Sequence, residues 1–421
     1  MSAPNVLDEL EWRGLLAHTT DRDALRAAFD GGSVRFYVGF DPTAASLHMG
    51  NLVQIITARR LQQFGHTPYV LVGGATGMIG DPRDSGERTL NDLDTVKDWS
   101  ARVREQVSAF VTFEGDNAAT LVNNYDWTAS LSTIDFLRDV GKHFPVNRML
   151  ARDTVKRRLE SGISFTEFSY VLLQSMDYLH LHRDHGVSLQ FGGSDQWGNI
   201  TAGAELTRRV TGDHVHAFAT PLITKTDGTK YGKTEGGALW LDPEMMSPYA
   251  FHQFWLNVED EKVGELLRIF TFLGREEIEA LEAQTAEKPF LRAAQKRLAD
   301  EVTTLVHGAE ETEQAKAAAG ALFAGGDLHE LRPRTLAAAL REAGTVRLER
   351  SQLGNVVDLF VAAGLATSKG EARRTVAEGG AYVNNIRVAD PEQPLGDADL
   401  LAGRWMVLRR GKKKFAGVEL V

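Results

Sequence analysis

The chain has 421 residues, of which 43% are hydrophobic and 25% charged, with a net charge of −10 and no cysteine. This is the composition of a globular protein with core enough for about two or three domains. It excludes disulfides, thiolate metal sites and cysteine nucleophiles, and it suits a cytoplasmic protein. No apolar run is long enough to cross a membrane, and residues 1–13 lack the basic start and apolar core of a signal peptide. The charge is uneven: Arg148, Arg152, Lys156, Arg157 and Arg158 cluster in one segment, and Arg404, Arg409, Arg410, Lys412, Lys413 and Lys414 cluster at the end. Basic patches on an acidic chain can bind nucleic acid; the plainer alternative is two solvated faces.

Residues 5–30 read as helical. Residues 34–40 read as a buried strand, followed by a polar turn at Asp41-Pro42-Thr43 and a helix that opens at Leu47-His48-Met49-Gly50-Asn51 and carries Leu52, Val53, Ile55, Ile56, Leu61 and Phe64. Strand, polar turn and helix start outline a phosphate site, because the first helical turn offers free N–H groups and the positive dipole end. Gly50 admits a ligand to the backbone and His48 supplies a donor. Residues 68–72 predict a second strand, parallel to the first because a helix connects them. The glycine-rich stretch 73–82 then lies where an open α/β sheet binds ligands, although it matches neither the dinucleotide nor the P-loop spacing. A helix over 99–113, a strand over 119–124, inserted helices over 130–159, a helix over 165–181, a strand over 188–191 and a helix over 200–210 follow. Residues 248–323 read as helical throughout, 324–351 as a weakly patterned linker, and 353–421 as two short helices and strands around a turn at Asn384-Asn385.

Three constellations carry chemistry. Tyr170, Gln174 and Asp177, spaced i, i+4 and i+7, share one face of an otherwise apolar helix, so a buried polar stripe there implies a polar ligand. Lys230-Tyr231-Gly232-Lys233-Thr234 places two lysines on a flexible turn able to close over phosphates. Asp81 and Asp195-Gln196 follow glycines at strand ends, where acids hold ribose hydroxyls or ammonium groups. The competing readings are an outward-facing stripe and a solvated loop.

Taken in order, these stretches resemble a known family. His48-Met49-Gly50-Asn51 is similar to the HIGH signature and residues 230–234 to the KMSKS signature of class I aminoacyl-tRNA synthetases. Residues 37–43, 72–82, 165–170 and 192–199 resemble the bacterial tyrosyl-tRNA synthetases in particular. Ser368-Lys369-Gly370-Glu371-Ala372-Arg373-Arg374 with Gly379-Gly380 and Val383-Asn384 resembles a small ribosomal-protein-like RNA-binding fold. The resemblance implies an α/β chain: a Rossmann-like parallel-sheet catalytic domain at 1–224 with a helical insertion at about 130–162, the signature loop and an α-helical anticodon-side domain at 225–323, a linker at 324–351, and a small α+β RNA-binding domain at 352–421. It implies formation of tyrosyl-adenylate from L-tyrosine and ATP, with Mg²⁺ on the ATP phosphates and no metal held by the protein. Transfer to tRNA(Tyr) by a homodimer would follow.

The roles that the resemblance implies are these. His48 and Thr43 meet the phosphates, and Lys230, Lys233 and Thr234 close over the pyrophosphate. Asp81, Tyr170 and Gln174 hold the tyrosine ammonium, Tyr37 and Asp177 the phenol hydroxyl, and Gln196 and Asn124 line the pocket. Gly39, Asp41, Gly50, Asn51, Gly193 and Asp195 contact the nucleotide. Arg148, Arg152, Arg157, Lys369, Arg373, Arg374, Lys412 and Lys413 contact tRNA. Asn51 replaces the last His of HIGH, Val38 replaces a polar residue near ribose, and Arg83 and Arg88 are candidates for the phosphates. The alternatives are a tryptophanyl enzyme of the same fold, a small-molecule nucleotidylyltransferase, and an RNA-binding protein that has lost catalysis.

Overall fold

The structure is a computed structural model that describes residues 5–83, 86, 90–229, 231, 238–411 and 414–421. It divides into two compact units, Met1–Asp242 with Glu261–Ala280, and Pro243–Asp260 with Leu281–Val421.

The first unit is built on a six-stranded sheet of β1 (His18–Thr19), β2 (Arg35–Phe40), β3 (Thr67–Val72), β4 (Thr120–Asn123), β5 (Leu189–Gly193) and β6 (His216–Thr220), in the order β1-β6-β5-β2-β3-β4. The strands pair in parallel except for β1 against β6. Phe36, Tyr37, Val38 and Phe40 of β2 are all buried, the continuous apolar run of a parallel strand covered on both faces. The helix Met49–Gln63 packs Leu52, Ile55, Ile56 and Leu61 without exposure, and Gly65, at φ +90°, turns the chain into β3. From β2 the chain runs outward through β3 and β4, then returns to the other side of β2 for β5 and β6. The order therefore reverses between β2 and β5, and in open α/β sheets that switch point opens a crevice at the carboxyl ends of the strands.

Several elements differ from expectation. Residues 5–30 form two helices, Val6–Trp12 and Arg22–Asp30, with β1 between them. The helix expected over 99–113 is Leu93–Ser108, started by the Asp92 side chain on the Thr95 N–H. The glycine-rich stretch contains a helical turn, Thr76–Ile79. The expected insertion is present as a series of short helices from Thr133–Asp135 to Asp153–Arg158. The long helix Phe165–His185 starts on the Ser164 side chain and ends at Gly186, at φ +64°.

Arg13 and Arg60, both almost fully buried, hold the end of the helix Asp260–Phe270. Arg13 donates to the carbonyls of Arg268, Thr271 and Leu273, and Arg60 to that of Thr271 with its guanidinium over the Phe272 ring. Carbonyls left over at a helix C-terminus attract cations in this way. Burial brings the Arg60 pKa down to about 9.

In the second unit the helices Pro248–Leu256, Ala309–Ala324 and Pro333–Ala343 share an apolar core. A five-stranded sheet follows: β7 (Thr345–Leu348), β8 (Ala381–Val383), β9 (Ile386–Arg387), β10 (Trp405–Arg410) and β11 (Lys414–Leu420), in the order β7-β11-β10-β8-β9. Val356–Ala362 and Lys369–Ala377 pack on it. Asn384 and Asn385 both have positive φ, as a tight hairpin turn between β8 and β9 requires. The linker expected at 324–351 is corrected: it carries the helix Pro333–Ala343, which buries Leu336 and Leu340, and β7, which pairs in parallel with β11.

Candidate active site

His48 caps the helix Met49–Gln63. Its Nδ1 accepts from the Gly50 N–H at 3.0 Å, and the Asn51 side chain accepts from the His48 N–H at 3.1 Å, a reciprocal capping box. Accepting at Nδ1 puts the ring proton on Nε2. A Cβ on Gly50 would lie 2.9 Å from the His48 ring, so the tight cap requires glycine there. The free amides expected in this first turn are corrected: the Met49 N–H donates to Leu239, the Gly50 N–H to the His48 ring and the Asn51 N–H to the His48 carbonyl. Phosphate donors at this rim are therefore side chains. Thr43, Gly39 and Gly50 are exposed beside exposed His48. The chain at 239–241 runs back antiparallel along 47–49, with Trp240 6.2 Å from the His48 ring. Lys230, Lys233 and Thr234 lie outside the described residues.

The floor of the crevice is polar and buried. Asp177, 2% exposed, accepts from Asn124 at 3.0 Å and from the Trp127 indole at 2.9 Å. Burial nonetheless pushes its carboxyl up to about 7. Tyr37, 1% exposed, has a hydroxyl with no hydrogen-bond partner among the described residues. Burial and then the nearby Asp177 charge raise its pKa, so it stays a protonated donor. The Gln174 Oε1 is likewise buried and unpartnered. Buried donors and acceptors left unmade are costly in a folded protein unless a ligand meets them. Tyr170, expected to face an ammonium group, donates its hydroxyl to Asp41 at 2.7 Å, and Thr76 donates to the other Asp41 oxygen at 2.6 Å. Asn124, expected to line the pocket, spends its amide within the protein on Thr76, Asp177 and the Ala75 N–H. Gly73 and Gly74 leave room for the side chains of Asp41 and Asn123, which a Cβ would meet at 1.9 and 2.3 Å.

Asp81 sits beside this floor. Gln196 donates to its Oδ2 at 2.8 Å and Asn199 to its Oδ1 at 3.1 Å. Asn199 also donates to the Gln196 Oε1 at 2.9 Å, while its own Oδ1 accepts from Arg152. Arg152 is thus turned inward, against its expected place on a tRNA-facing patch. Burial lowers its pKa and the Asp81 charge opposes that shift. Arg158, in the same basic run, is also inside: it pairs with Glu167 at 3.1 Å, both side chains being almost fully buried, and donates to the carbonyls of Arg83 and Gly162. Arg88 lies outside the described residues. Trp127 and Asn199 complete these hydrogen-bond networks and were not singled out from the sequence; each stands within three residues of one that was.

Asp195 is exposed on the turn Ser194–Gln196 after β5, and a Cβ on Gly193 would come within 2.7 Å of its carboxylate. Of the remaining basic residues, Arg148, Arg157 and Arg374 are exposed. Lys369 pairs with Asp358 at 2.7 Å and Arg373 with Glu392 at 2.9 Å, exposed pairs that open at little cost. Lys412 and Lys413 lie outside the described residues. Among the described residues no three His, Asp or Glu stand together as a metal site, and no helix is long and apolar enough to cross a membrane.

Comparison with known proteins places the chain in a family. The profile of class I tRNA synthetases (W and Y) matches residues 30–324, and that of the tyrosine–tRNA ligase SYY-like C-terminal domain matches 336–418. The second match begins inside the segment expected as linker. The chain is 60% identical to a tyrosine–tRNA ligase of Streptomyces coelicolor over 99% of both chains, and 61% identical to that of Kineococcus radiotolerans over 98% of both. Among solved structures it resembles a C-terminally truncated mitochondrial tyrosyl-tRNA synthetase of Coccidioides posadasii, with a TM-score of 0.67 and 32% identity over 74% of this chain and 91% of that one.

Proposed function

The chain belongs to the class I tRNA synthetases of tryptophan and tyrosine, and from that membership we propose how its own residues divide the work. It is a tRNA ligase for tyrosine: L-tyrosine and ATP give tyrosyl-adenylate and pyrophosphate, and the tyrosyl group then passes to tRNA. The amino-acid carboxylate attacks the α-phosphate, so no protein nucleophile is needed and the protein contributes positioning and charge stabilisation. The observation that carries the tyrosine reading is the buried pair at the floor. Tyr37 offers an unpartnered hydroxyl and Asp177 a carboxylate at one spot. A substrate phenol would accept from Tyr37 and donate to Asp177, whereas phenylalanine would leave the Tyr37 hydroxyl unmade and Asp177 with its protein donors alone.

In this reading His48, with its proton on Nε2, and Thr43 donate to phosphate oxygens. Lys230, Lys233 and Thr234 close over the leaving pyrophosphate. Asp81 holds the ammonium with Gln174, Gln196 orients Asp81, and Tyr170 acts through Asp41. Gly39, Asp41, Gly50 and Asn51 shape the nucleotide rim, and Gly193 brings Asp195 to the ribose. Mg²⁺ carried on the ATP phosphates supplies charge shielding. Arg148, Arg157 and the second unit's Lys369, Arg373, Arg374, Lys412 and Lys413 meet tRNA, largely through its phosphates and therefore with strong salt dependence. The proposed RNA-binding domain takes in β7, before the expected 352, because that strand pairs with β11. Exposed Ile134, Leu137, Val146, Leu159 and Phe165 on and beside the insertion support a homodimer through that face. The absence of cysteine suits a cytoplasmic setting. Amino-acid-dependent ATP–pyrophosphate exchange with all twenty amino acids tests the assignment. Exchange with tyrosine alone is expected; exchange with tryptophan would overturn the role of Tyr37 and Asp177.

A further inference from the structure

We propose that Arg152 is a positioning residue for the amino-acid ammonium site, acting through Asn199 on Asp81. The proposal rests on the assignment of Asp81 to the ammonium. A guanidinium only donates hydrogen bonds. Contact with Arg152 therefore forces the Asn199 amide to turn its oxygen toward Arg152 and its NH₂ toward Asp81. That NH₂ also meets the Gln196 Oε1, which leaves the Gln196 NH₂ to face the second Asp81 oxygen. One arginine thereby sets the polarity of two amides, so that both present donors to the carboxylate. Remove it, and the buried Asn199 oxygen loses its donor, so the amide is held from one side only, through its NH₂ on Asp81 and Gln196.

Three further observations support the relay. Asn199 is 4% exposed, so its orientation is decided by protein partners. A Cβ on Gly198 would stand 3.1 Å from the Arg152 guanidinium, so the backbone is cut back where the side chain lies. A small cavity beside the relay is lined by Asp81, Arg152, Glu167 and Asn199 together. Arg152 comes from the helical insertion, immediately before the helix Asp153–Arg158. The relay thus ties the insertion to the amino-acid subsite, and Arg152 acts before tRNA is present.

The test is pyrophosphate exchange, which needs no tRNA, on the full-length protein. Arg152→Gln and Asn199→Ala should each raise the tyrosine KM by about tenfold, the loss of a hydrogen bond to a charged group, with the ATP KM unchanged. Their effects should not add in the double variant, and Arg152→Lys should restore part of the affinity. Inhibition by tyramine, which keeps the ammonium, should weaken in parallel, while inhibition by 3-(4-hydroxyphenyl)propanoate, which lacks it, should not. An unchanged exchange reaction with a raised KM for tRNA alone would overturn the relay and return Arg152 to the tRNA face. Equal weakening of both inhibitors would also overturn it, showing a merely structural role. Asp81→Asn run alongside separates the premise: if it too fails to tell the two inhibitors apart, the ammonium assignment itself falls.

Discussion

Tyr37→Phe should move stability and activity in opposite directions. The hydroxyl belongs to a side chain 1% exposed and has no partner among the described residues. An unsatisfied buried polar group costs about 1–3 kcal/mol. Phenylalanine keeps the ring and its edge contact with Tyr178, at 5.3 Å between centroids. The unfolding free energy should therefore hold or rise by about 1 kcal/mol. In the complex the hydroxyl meets the substrate phenol, and a neutral hydrogen bond contributes about 0.5–1.5 kcal/mol, or roughly 2- to 12-fold in kcat/KM for tyrosine. Discrimination against phenylalanine should narrow by the same factor. Urea unfolding and exchange kinetics with both amino acids read these quantities separately. A variant destabilised by more than about 1 kcal/mol with kcat/KM for tyrosine unchanged would refute the reasoning, because the hydroxyl would then serve the fold.

Asp177 predicts a pH profile. Its ionised form accepts the substrate hydroxyl, so kcat/KM for tyrosine should rise with pH through about 7 and then level, with that rise absent in Asp177→Asn. Because the folded-state value lies above the ordinary 3.8, this carboxyl favours the folded state while protonated, and that contribution is lost as pH climbs from 3.8 through about 7. Asp177→Asn should flatten that part of the stability–pH curve in chemical denaturation. Arg158→Met, which removes the buried guanidinium that pairs with Glu167, should cost about 3–5 kcal/mol in urea unfolding; a loss below about 1 kcal/mol would show that the pair is not needed. His48→Asn retains a good helix cap but loses the imidazole donor, so exchange kcat should fall about a hundredfold with little change in melting temperature, whereas His48→Ala should lose stability as well.

The strand, polar turn and helix around His48 were legible because each carries a strong local signal: a continuous apolar run, Asp-Pro, and helical apolar spacing. The stripe of Tyr170, Gln174 and Asp177 was legible from spacing alone. What stayed hidden is what neighbours decide. The two-residue β1 exists because β6 offers it an edge, and nothing local marks it. The helix Pro333–Ala343 has alanine at half of its buried positions and sits in an alanine- and glycine-rich stretch, so composition alone reads it as linker. A run of basic residues reads as a solvated face, and only the fold shows that Arg152 and Arg158 turn inward. Glycines 73 and 74 suggested room for a ligand, and the structure fills that room with the protein's own Asp41 and Asn123.

The clamp of Arg13 and Arg60 on the carbonyls of 268, 271 and 273 has a consequence for how the protein is made. Arg13 finds its partners 255 to 260 residues downstream. At about 5–20 residues per second the ribosome needs roughly ten to forty seconds to travel from Arg60 to Leu273. Throughout that interval two guanidinium groups destined for the interior have no carbonyls to receive them. The catalytic unit therefore closes late, and a nascent chain halted before residue 273 should expose the surface around Trp12 and Arg60 to protease and chaperone alike.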